Sequence, residues 1–299
     1  MKPIFQQFFT KNNPFISDAF NEWIIQIPID TIIVEPFAGE CHLGTYLSNY
    51  KFDYFDIDPK HENIIKNDSI INFPTGYKVA ITNPPYLGKS SAKRNNQSYN
   101  YSHQDLYLAS LEQILNHTEY SAVIIPASFL ANNYFKDRLA YVDIKNEKLF
   151  TDTDIPVIVA YFVNKQQNNY KLYKNGKFVS VINEYKLPKN NNYKIEFNNN
   201  DGNLGLYAID GTSGTRIRFC KASEIDRPTK SSDRAITKIK INIPITDSII
   251  NKLNYSLENY RNSTFDTTLT AFRGLQKNGD HRKRISYKLV KEIIWSLNL

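Results

Sequence analysis

Two consecutive prolines close an apolar run, KVAIT (78–82), that otherwise reads as a buried strand. Proline has no N–H and holds φ near about −65°. Asn83-Pro84-Pro85-Tyr86 therefore ends the strand with rigid oxygens that point outward instead of into a ladder. Such a site accepts hydrogen bonds and donates few. An exocyclic amine such as adenine N6 is planar and weakly nucleophilic, because its lone pair is delocalised into the ring. Accepting its two protons on Asn83 Oδ1 and the Pro84 carbonyl favours a pyramidal amine that can attack a methyl group in line. Tyr86 would stack on the base, which must leave its duplex to reach a pocket of this kind.

Three carboxylates precede the tetrad, each just past an apolar run: Glu35 in EPFAGECHLG (35–44), Asp56 or Asp58 in FDIDP (55–59), and Asp68 in KNDSI (66–70). Pro36-Phe37-Ala38-Gly39 offers a tight turn whose small residues let a ligand approach the backbone. A carboxylate about 20 residues further on is placed to accept ribose hydroxyls. No lysine of the phosphate-loop type stands beside Gly39. Three acids without that lysine favour a nucleoside bearing a cation over a nucleoside triphosphate, and S-adenosylmethionine is such a ligand. Singly, each acid could equally be a helix cap or a solvated loop residue.

The elements that must position these groups alternate from residue 31 to 164. Strand candidates are 31–37, 52–58, 78–83, 121–126 and 155–163, several of them continuous β-branched runs suited to burial on both faces. Between them HQDLYLASLEQILNH (103–117) carries a helical apolar stripe through Leu106, Leu108, Leu111, Ile114 and Leu115. The pattern predicts an α/β fold with a doubly wound, mostly parallel sheet, whose ligands sit beyond the carboxyl ends of the strands. Past residue 164 the grammar changes. YKLYKNGKFVSV (170–181) alternates around Asn-Gly, a strong hairpin signal, and further short strands are followed by helices near 246–260 and 286–297. We expect a catalytic domain over 1–164 and a β-rich domain with terminal helices over 165–299.

Charge divides at the same place. The net charge of +7 is the sum of −5 over residues 1–164 and +12 over 165–299, so a polyanion would be drawn to the second half. Only Cys41 and Cys220 occur, which supports neither a disulfide framework nor a zinc site. There is no apolar run long enough to span a bilayer, and MKPIFQQFF lacks the order of a signal peptide. The expectation is a cytoplasmic protein with no resident metal and no membrane partner.

In their order these motifs resemble the N6-adenine DNA methyltransferases of restriction-modification systems, in the gamma arrangement: cofactor motifs, then NPPY, then a target-recognition domain. The resemblance covers about residues 8–163, from FFTKNNPFISDAFNEWI (8–24) through AVIIPASFL (122–130) to LFTDTDIPVIVAYF (149–162). It implies an S-adenosylmethionine-dependent methyltransferase fold with Thr10 and Lys11 near the methionine carboxylate and Glu35 near its ammonium. It further implies Pro36, Phe37, Ala38 and Gly39 along the cofactor, Asp56 and Ile57 at the ribose, and Asp68 and Ser69 at the adenine. Catalysis would rest on Asn83, Pro84, Pro85 and Tyr86, with Phe150 flanking a flipped base. Two positions depart from the pattern. Cys41 stands where the family's glycine motif usually has its second Gly, and Ser69 stands where an aromatic commonly follows the third acid, so no residue is assigned to stack on the cofactor.

Residues 87–104, LGKSSAKRNNQSYNYSHQ, are polar, basic and without strong periodicity. They read as a mobile loop that orders on DNA, with Lys89, Lys93 or Arg94 on phosphate. In the second half Arg216, Arg218, Lys221 and Lys230 are the expected phosphate contacts. The partner implied is double-stranded DNA, with a separate restriction endonuclease alongside. NPPY also occurs in enzymes that methylate RNA adenines or a protein glutamine amide, and an inactive DNA-binding specificity protein is a further alternative. Oligomeric state stays open.

Overall fold

The computed structural model describes residues 12–146, 149–150, 155–189, 193–214, 216–277 and 279–297. The chain divides into two compact units, the first ending at Val181 and the second taking Ile182 onward together with Leu130–Asn132.

The first unit is built on β1 (Ile33–Glu35), β2 (Phe52–Asp56), β3 (Ile64–Lys66), β4 (Val79–Thr82), β5 (Tyr120–Pro126), β6 (Leu139–Lys145), β7 (Val157–Phe162), β8 (Asn169–Lys174) and β9 (Lys177–Asn183). They form one sheet in the order β3-β2-β1-β4-β5-β7-β6-β8-β9. Pairing is parallel from β3 through β5, and β7 runs antiparallel between β5 and β6. The fold is therefore α/β with a mostly parallel sheet, as expected. All six residues of β7 are buried, which is why VIVAYF shows no alternation. β3 and β6 were not expected from the sequence. β6 reads LAYVDIK, and Asp143 and Lys145 hide it by being charged; the two pair with each other at 2.7 Å, both buried.

The helices of this unit are α1 (Asp18–Ile24), α2 (His42–Tyr46), α3 (Lys89–Arg94) and α4 (Leu106–His117). Ser17 caps α1 by accepting the Phe20 N–H at 3.0 Å. The same helix is then pinned to the sheet by Trp23, fully buried, whose Nε1 donates to the Phe162 carbonyl at 3.0 Å. α4 buries Leu106, Leu108, Leu111, Ile114 and Leu115, the stripe seen in the sequence.

The Asn175-Gly176 turn forms with φ of 47° and 82°, the paired positive values of a type I′ hairpin. Its strands nevertheless do not open the second unit. β8 pairs in parallel with β6, Tyr141 opposite Lys171 through Ile144 opposite Lys174, so the hairpin extends the first sheet. The compact units divide after Val181, whereas the sequence places the catalytic domain's end at 164. The reason is that β6, unseen in the sequence, presents the edge on which β8 pairs.

In the second unit β10 (Ile195–Phe197), β11 (Leu204–Tyr207), β12 (Arg218–Lys221) and β13 (Ile236–Ile241) make an antiparallel sheet in the order β10-β13-β11-β12. It packs with α5 (Asp247–Thr264) and α6 (Tyr287–Trp295) around Leu206, Phe219, Leu253, Leu257, Val290 and Ile293. β14 (Thr270–Leu275) and β15 (His281–Arg284) form a hairpin. Buried Arg261 joins these parts. Its guanidinium donates to both oxygens of Asp210 at 2.9 and 3.0 Å and to both of Asp266 at 2.8 and 2.7 Å. The HRKR run lies in β15, where the Arg282 Nε donates to the Asp210 carbonyl at 2.6 Å, so part of that basic motif is structural.

Removing the guanidinium would leave Asp210, 1% exposed, without its cation. Arg261→Met is expected to destabilise the second unit by about 3 to 5 kcal/mol, read as a lower urea midpoint by circular dichroism. A midpoint unchanged from wild type would show that the network contributes nothing.

Candidate functional site

The carboxyl ends of β1, β2, β3 and β4 meet around a cavity that is open to solvent. Phe37 reaches it from the turn after β1, Asp56 and Ile57 from the end of β2, Asp68 and Ser69 from just past β3, and Pro85 from the turn after β4. Six residues singled out in the sequence therefore line one space. A sheet whose neighbouring strands are parallel puts all these ends on the same side, and its strand order makes them adjacent.

The glycine turn is held by the acid at the end of the next strand. Asp56, 2% exposed, accepts the Gly39 N–H on Oδ2 and the Asp58 N–H on Oδ1, both at 2.9 Å. The Ala38 N–H donates to the Phe55 carbonyl at 2.9 Å, and the Cys41 N–H donates to the Ala38 carbonyl at 2.8 Å. Gly39 and Cys41 both lie in the left-handed region, with φ of 52° and 58°. That conformation costs an L-residue energy and glycine little, which accounts physically for a glycine preference at position 41. Burial, followed by the charges of Glu35, Asp56 and Glu40, pushes the Cys41 thiol up to about 11. The thiol is thus held protonated at neutral pH.

Glu35, the last residue of β1, is 2% exposed. Burial first, and the charge of Asp56 second, raise its pKa well above the usual carboxylate range, and a backbone N–H from Gly44 opposes them only partly. Its Oε2 is buried and has no hydrogen-bond partner among the described residues. A buried acceptor in this state is costly unless a donor arrives. Asp68 accepts the Ile70 N–H on Oδ1 at 3.1 Å, and its second oxygen accepts no hydrogen bond from the described residues. Ser69 is buried and receives the Asn67 side-chain amide at 3.0 Å, so it serves the loop rather than offering a flat surface.

Asn83 is half-buried, while Pro84, Pro85 and Tyr86 are buried. The Tyr86 hydroxyl lies 2.8 Å from Asn83 Oδ1 and 2.8 Å from the Ile124 carbonyl. Its single proton can serve only one of these oxygens at a time. The Tyr86 ring stands edge-on to Phe150, centroids 6.1 Å apart, and edge-on to Tyr107 at 6.4 Å. Phe150, 1% exposed, thus packs on the tetrad's tyrosine, and Tyr86 is turned into the protein, with 6% of its surface exposed, rather than presented for stacking. Burial pushes its phenol well above its usual pKa. Thr10 and Lys11 lie outside the described residues.

The segment after the tetrad differs from the aperiodic loop expected. It contains α3, and its ends are fastened together: the Leu106 N–H donates to the Leu87 carbonyl at 2.9 Å and the Lys89 N–H to the Gln104 carbonyl at 2.7 Å. Leu87, Ala92 and Leu106 form a small buried cluster against which Ile70, Tyr99 and Tyr101 pack. Sequence reasoning missed Asn67, Ile70, Tyr101 and Leu106, all of which line the cavity. For Tyr101 a signal existed, two tyrosines spaced by two in an otherwise polar stretch.

Lys89, Lys93 and Arg94 are exposed on and around α3, and Arg94 Nη2 donates to Ser91 Oγ at 3.0 Å. In the second unit Arg216 pairs with Glu258 at 2.6 Å, Arg218 with Glu224 at 3.3 Å, and Lys221 with Asp247 at 2.7 Å. Lys230 is exposed and makes no ion pair among the described residues. Three of these four cations therefore already have carboxylate partners. Among the described residues no group of His, Cys, Asp and Glu could hold a metal ion, and no helix is long and apolar enough to cross a membrane.

The model of the Eco57I restriction-modification methylase family matches residues 44–168. No curated protein matches the chain. Among solved structures it aligns with the methyltransferase subunit of a type I restriction-modification system from Streptococcus thermophilus at 13% identity and a TM-score of 0.42, over 56% of this chain and 47% of that one. It also aligns with the M protein of the type I restriction enzyme EcoKI at 12% identity and a TM-score of 0.41, over 56% and 48%. A third alignment is with a nuclease-deletion mutant of the Type ISP enzyme LlaGI in complex with a DNA substrate mimic, at 12% identity and a TM-score of 0.44, over 58% and 28%. The chain spans less than half the length of each of these three structures.

The left-handed backbone at position 41 carries a direct test. Cys41→Gly should relieve the strain and raise stability by about 1 kcal/mol, measured as a higher melting temperature. A lower one would show that the thiol's packing outweighs the backbone term.

Proposed function

We propose that the chain transfers a methyl group from S-adenosylmethionine to the N6 amine of an adenine in a specific duplex DNA sequence, as the modification activity of a restriction-modification system. The observation that carries this reading is the single cavity shared by Phe37, Asp56, Ile57, Asp68, Ser69 and Pro85, which joins the glycine turn, the two acids and the proline tetrad. The match of residues 44–168 to a restriction-modification methylase family supports it. In this reading residues 1–181 hold the chemistry, and the basic second unit reads DNA.

The residues suit a cationic nucleoside. Glu35 has a buried oxygen without a partner, which an ammonium would satisfy, and Asp68 keeps an oxygen for an adenine amine. Asp56 already holds two backbone N–H groups, so it shapes the turn as well as facing the ribose. The cofactor supplies an electrophilic methyl group. Asn83 Oδ1 and the Pro84 carbonyl then accept the two protons of the target amine, which concentrates its lone pair on nitrogen. For Tyr86 to stack on that base its ring must leave the contact with Phe150, and its hydroxyl must release the Ile124 carbonyl. Lys89, Lys93, Arg94 and Lys230 are the cations best placed by exposure to meet phosphate, whereas Arg216, Arg218 and Lys221 must first give up carboxylates.

Transfer of labelled methyl from S-adenosylmethionine to duplex DNA, followed by identification of the modified base, tests the reading. N6-methyladenine is expected with the wild type, with a loss of at least about 100-fold in Asn83→Ala. Label in RNA or protein alone would overturn the substrate, modified cytosine would overturn the base, and cofactor binding without transfer would leave an inactive specificity protein.

Glu35 makes a second prediction. Its pKa in the folded protein lies above the ordinary 4.5, so the neutral form is favoured, and this contribution to stability is complete below 4.5 and lost as pH rises through the raised value. An ammonium at Oε2 favours the charged form, so ligand binding should release a proton and tighten as pH rises over that same window. Calorimetry with S-adenosylhomocysteine in buffers of different ionisation enthalpy measures the release. Glu35→Gln should abolish it, and equal release in that variant would assign the proton elsewhere.

A further inference from the structure

We infer that Tyr101, from the loop that follows the proline tetrad, is the aromatic that stacks on the cofactor's adenine. The inference rests on the proposed cofactor and names a residue no motif of the resemblance supplies. Ser69, at the position where an aromatic would be expected, is buried and bonded to Asn67, so it offers no flat surface to a base. Yet the cavity is lined beside Asp68 and Ile57 by a second aromatic besides Phe37, and that residue is Tyr101.

Several observations hold its ring there. Tyr99 packs edge-on against it, with centroids 5.2 Å apart and planes at 78°. Both rings pack on the cluster of Leu87, Ala92 and Leu106, together with Ile70. The ends of the loop are closed by the hydrogen bonds between Leu106 and Leu87 and between Lys89 and Gln104. Partial burial, and the charge of Asp68 after it, raise the phenol's pKa, which agrees with a ring set next to the acid assigned to the adenine amine. Tyr101 also lines a second cavity, with Ile70, Ser98 and Ser102, so its ring forms a wall between that space and the first. An adenine amine on Asp68 brings the base to the part of the cavity that Tyr101 bounds, where a ring offers a π face and Leu106 offers aliphatic packing.

Binding of S-adenosylhomocysteine to the full chain tests this by calorimetry. Tyr101→Ala is expected to weaken it about tenfold, and Tyr101→Phe to keep it within about twofold, as stacking requires the ring and not the hydroxyl. A second readout follows the ring itself: in Tyr101→Trp the added indole should lose fluorescence on titration with 5′-methylthioadenosine, while the wild type, with Trp23 and Trp295, should not. Unchanged affinity in Tyr101→Ala, or an indole at 101 that saturating ligand does not quench, overturns the inference while leaving the cofactor in place. A folded wild type that binds no S-adenosylhomocysteine overturns the cofactor reading, and the inference with it.

Discussion

The Asp56 carboxylate is the constraint around which the first unit's cavity is arranged. It ends β2, yet one oxygen holds the Gly39 N–H of the turn after β1 and the other holds the Asp58 N–H of its own turn. Two chain reversals that would each leave backbone donors inside the protein are satisfied by one side chain. With those turns fixed, Phe37 and Ile57 are carried to the same space, and Glu35 is left behind them with an oxygen that no described residue serves. Polar groups are normally paired when buried. The exception here is Glu35, and burial together with the neighbouring Asp56 charge makes the position costly for a charged carboxylate that lacks a cation.

The tetrad shows a related economy. Pro84 and Pro85 remove two donors at the end of β4, and Pro85 lines the cavity with residues that follow the first three strands. Tyr86 and Phe150 form an aromatic pair with Tyr107 behind them. In this arrangement the ring that would contact a target base is stored in the protein, and its movement is a step that DNA binding would have to drive. The loop that follows is tied at its base and brings Tyr101 to the cavity that Pro85 also lines, so one stretch of chain from 83 to 106 supplies three of its walls, Pro85, Tyr101 and Leu106.

Charge in the second unit is less available than its total suggests. Arg216, Arg218 and Lys221 were expected from the sequence to meet phosphate. In the structure each finds a carboxylate, two of them on α5. Arg261 and Arg282 are used to hold Asp210. Part of the positive charge is thus spent on folding a unit with short strands, while Lys230 and others such as Lys194, Lys240, Lys252 and Lys288 stay exposed.

By itself the sequence determined the parts whose local chemistry is self-sufficient. Continuous β-branched runs marked β1, β4, β5 and β7, the stripe of α4 was regular, Asn175-Gly176 dictated its turn, and Pro84-Pro85 could not continue a ladder. These signals lie within a few residues of the structure they specify. Tertiary structure alone decided what depends on partners far away in the chain. β6 is visible as a strand only once Asp143 and Lys145 are paired, and only then does the hairpin of β8 and β9 have an edge to join. The spacing of Tyr99 and Tyr101 marks a pair in a polar, aperiodic stretch but not its place, which is set by packing on Ile70, Leu87 and Leu106. Cys41 combines the two: its departure from glycine is plain in the sequence, but the φ of 58° that gives the departure its energetic meaning belongs to the fold.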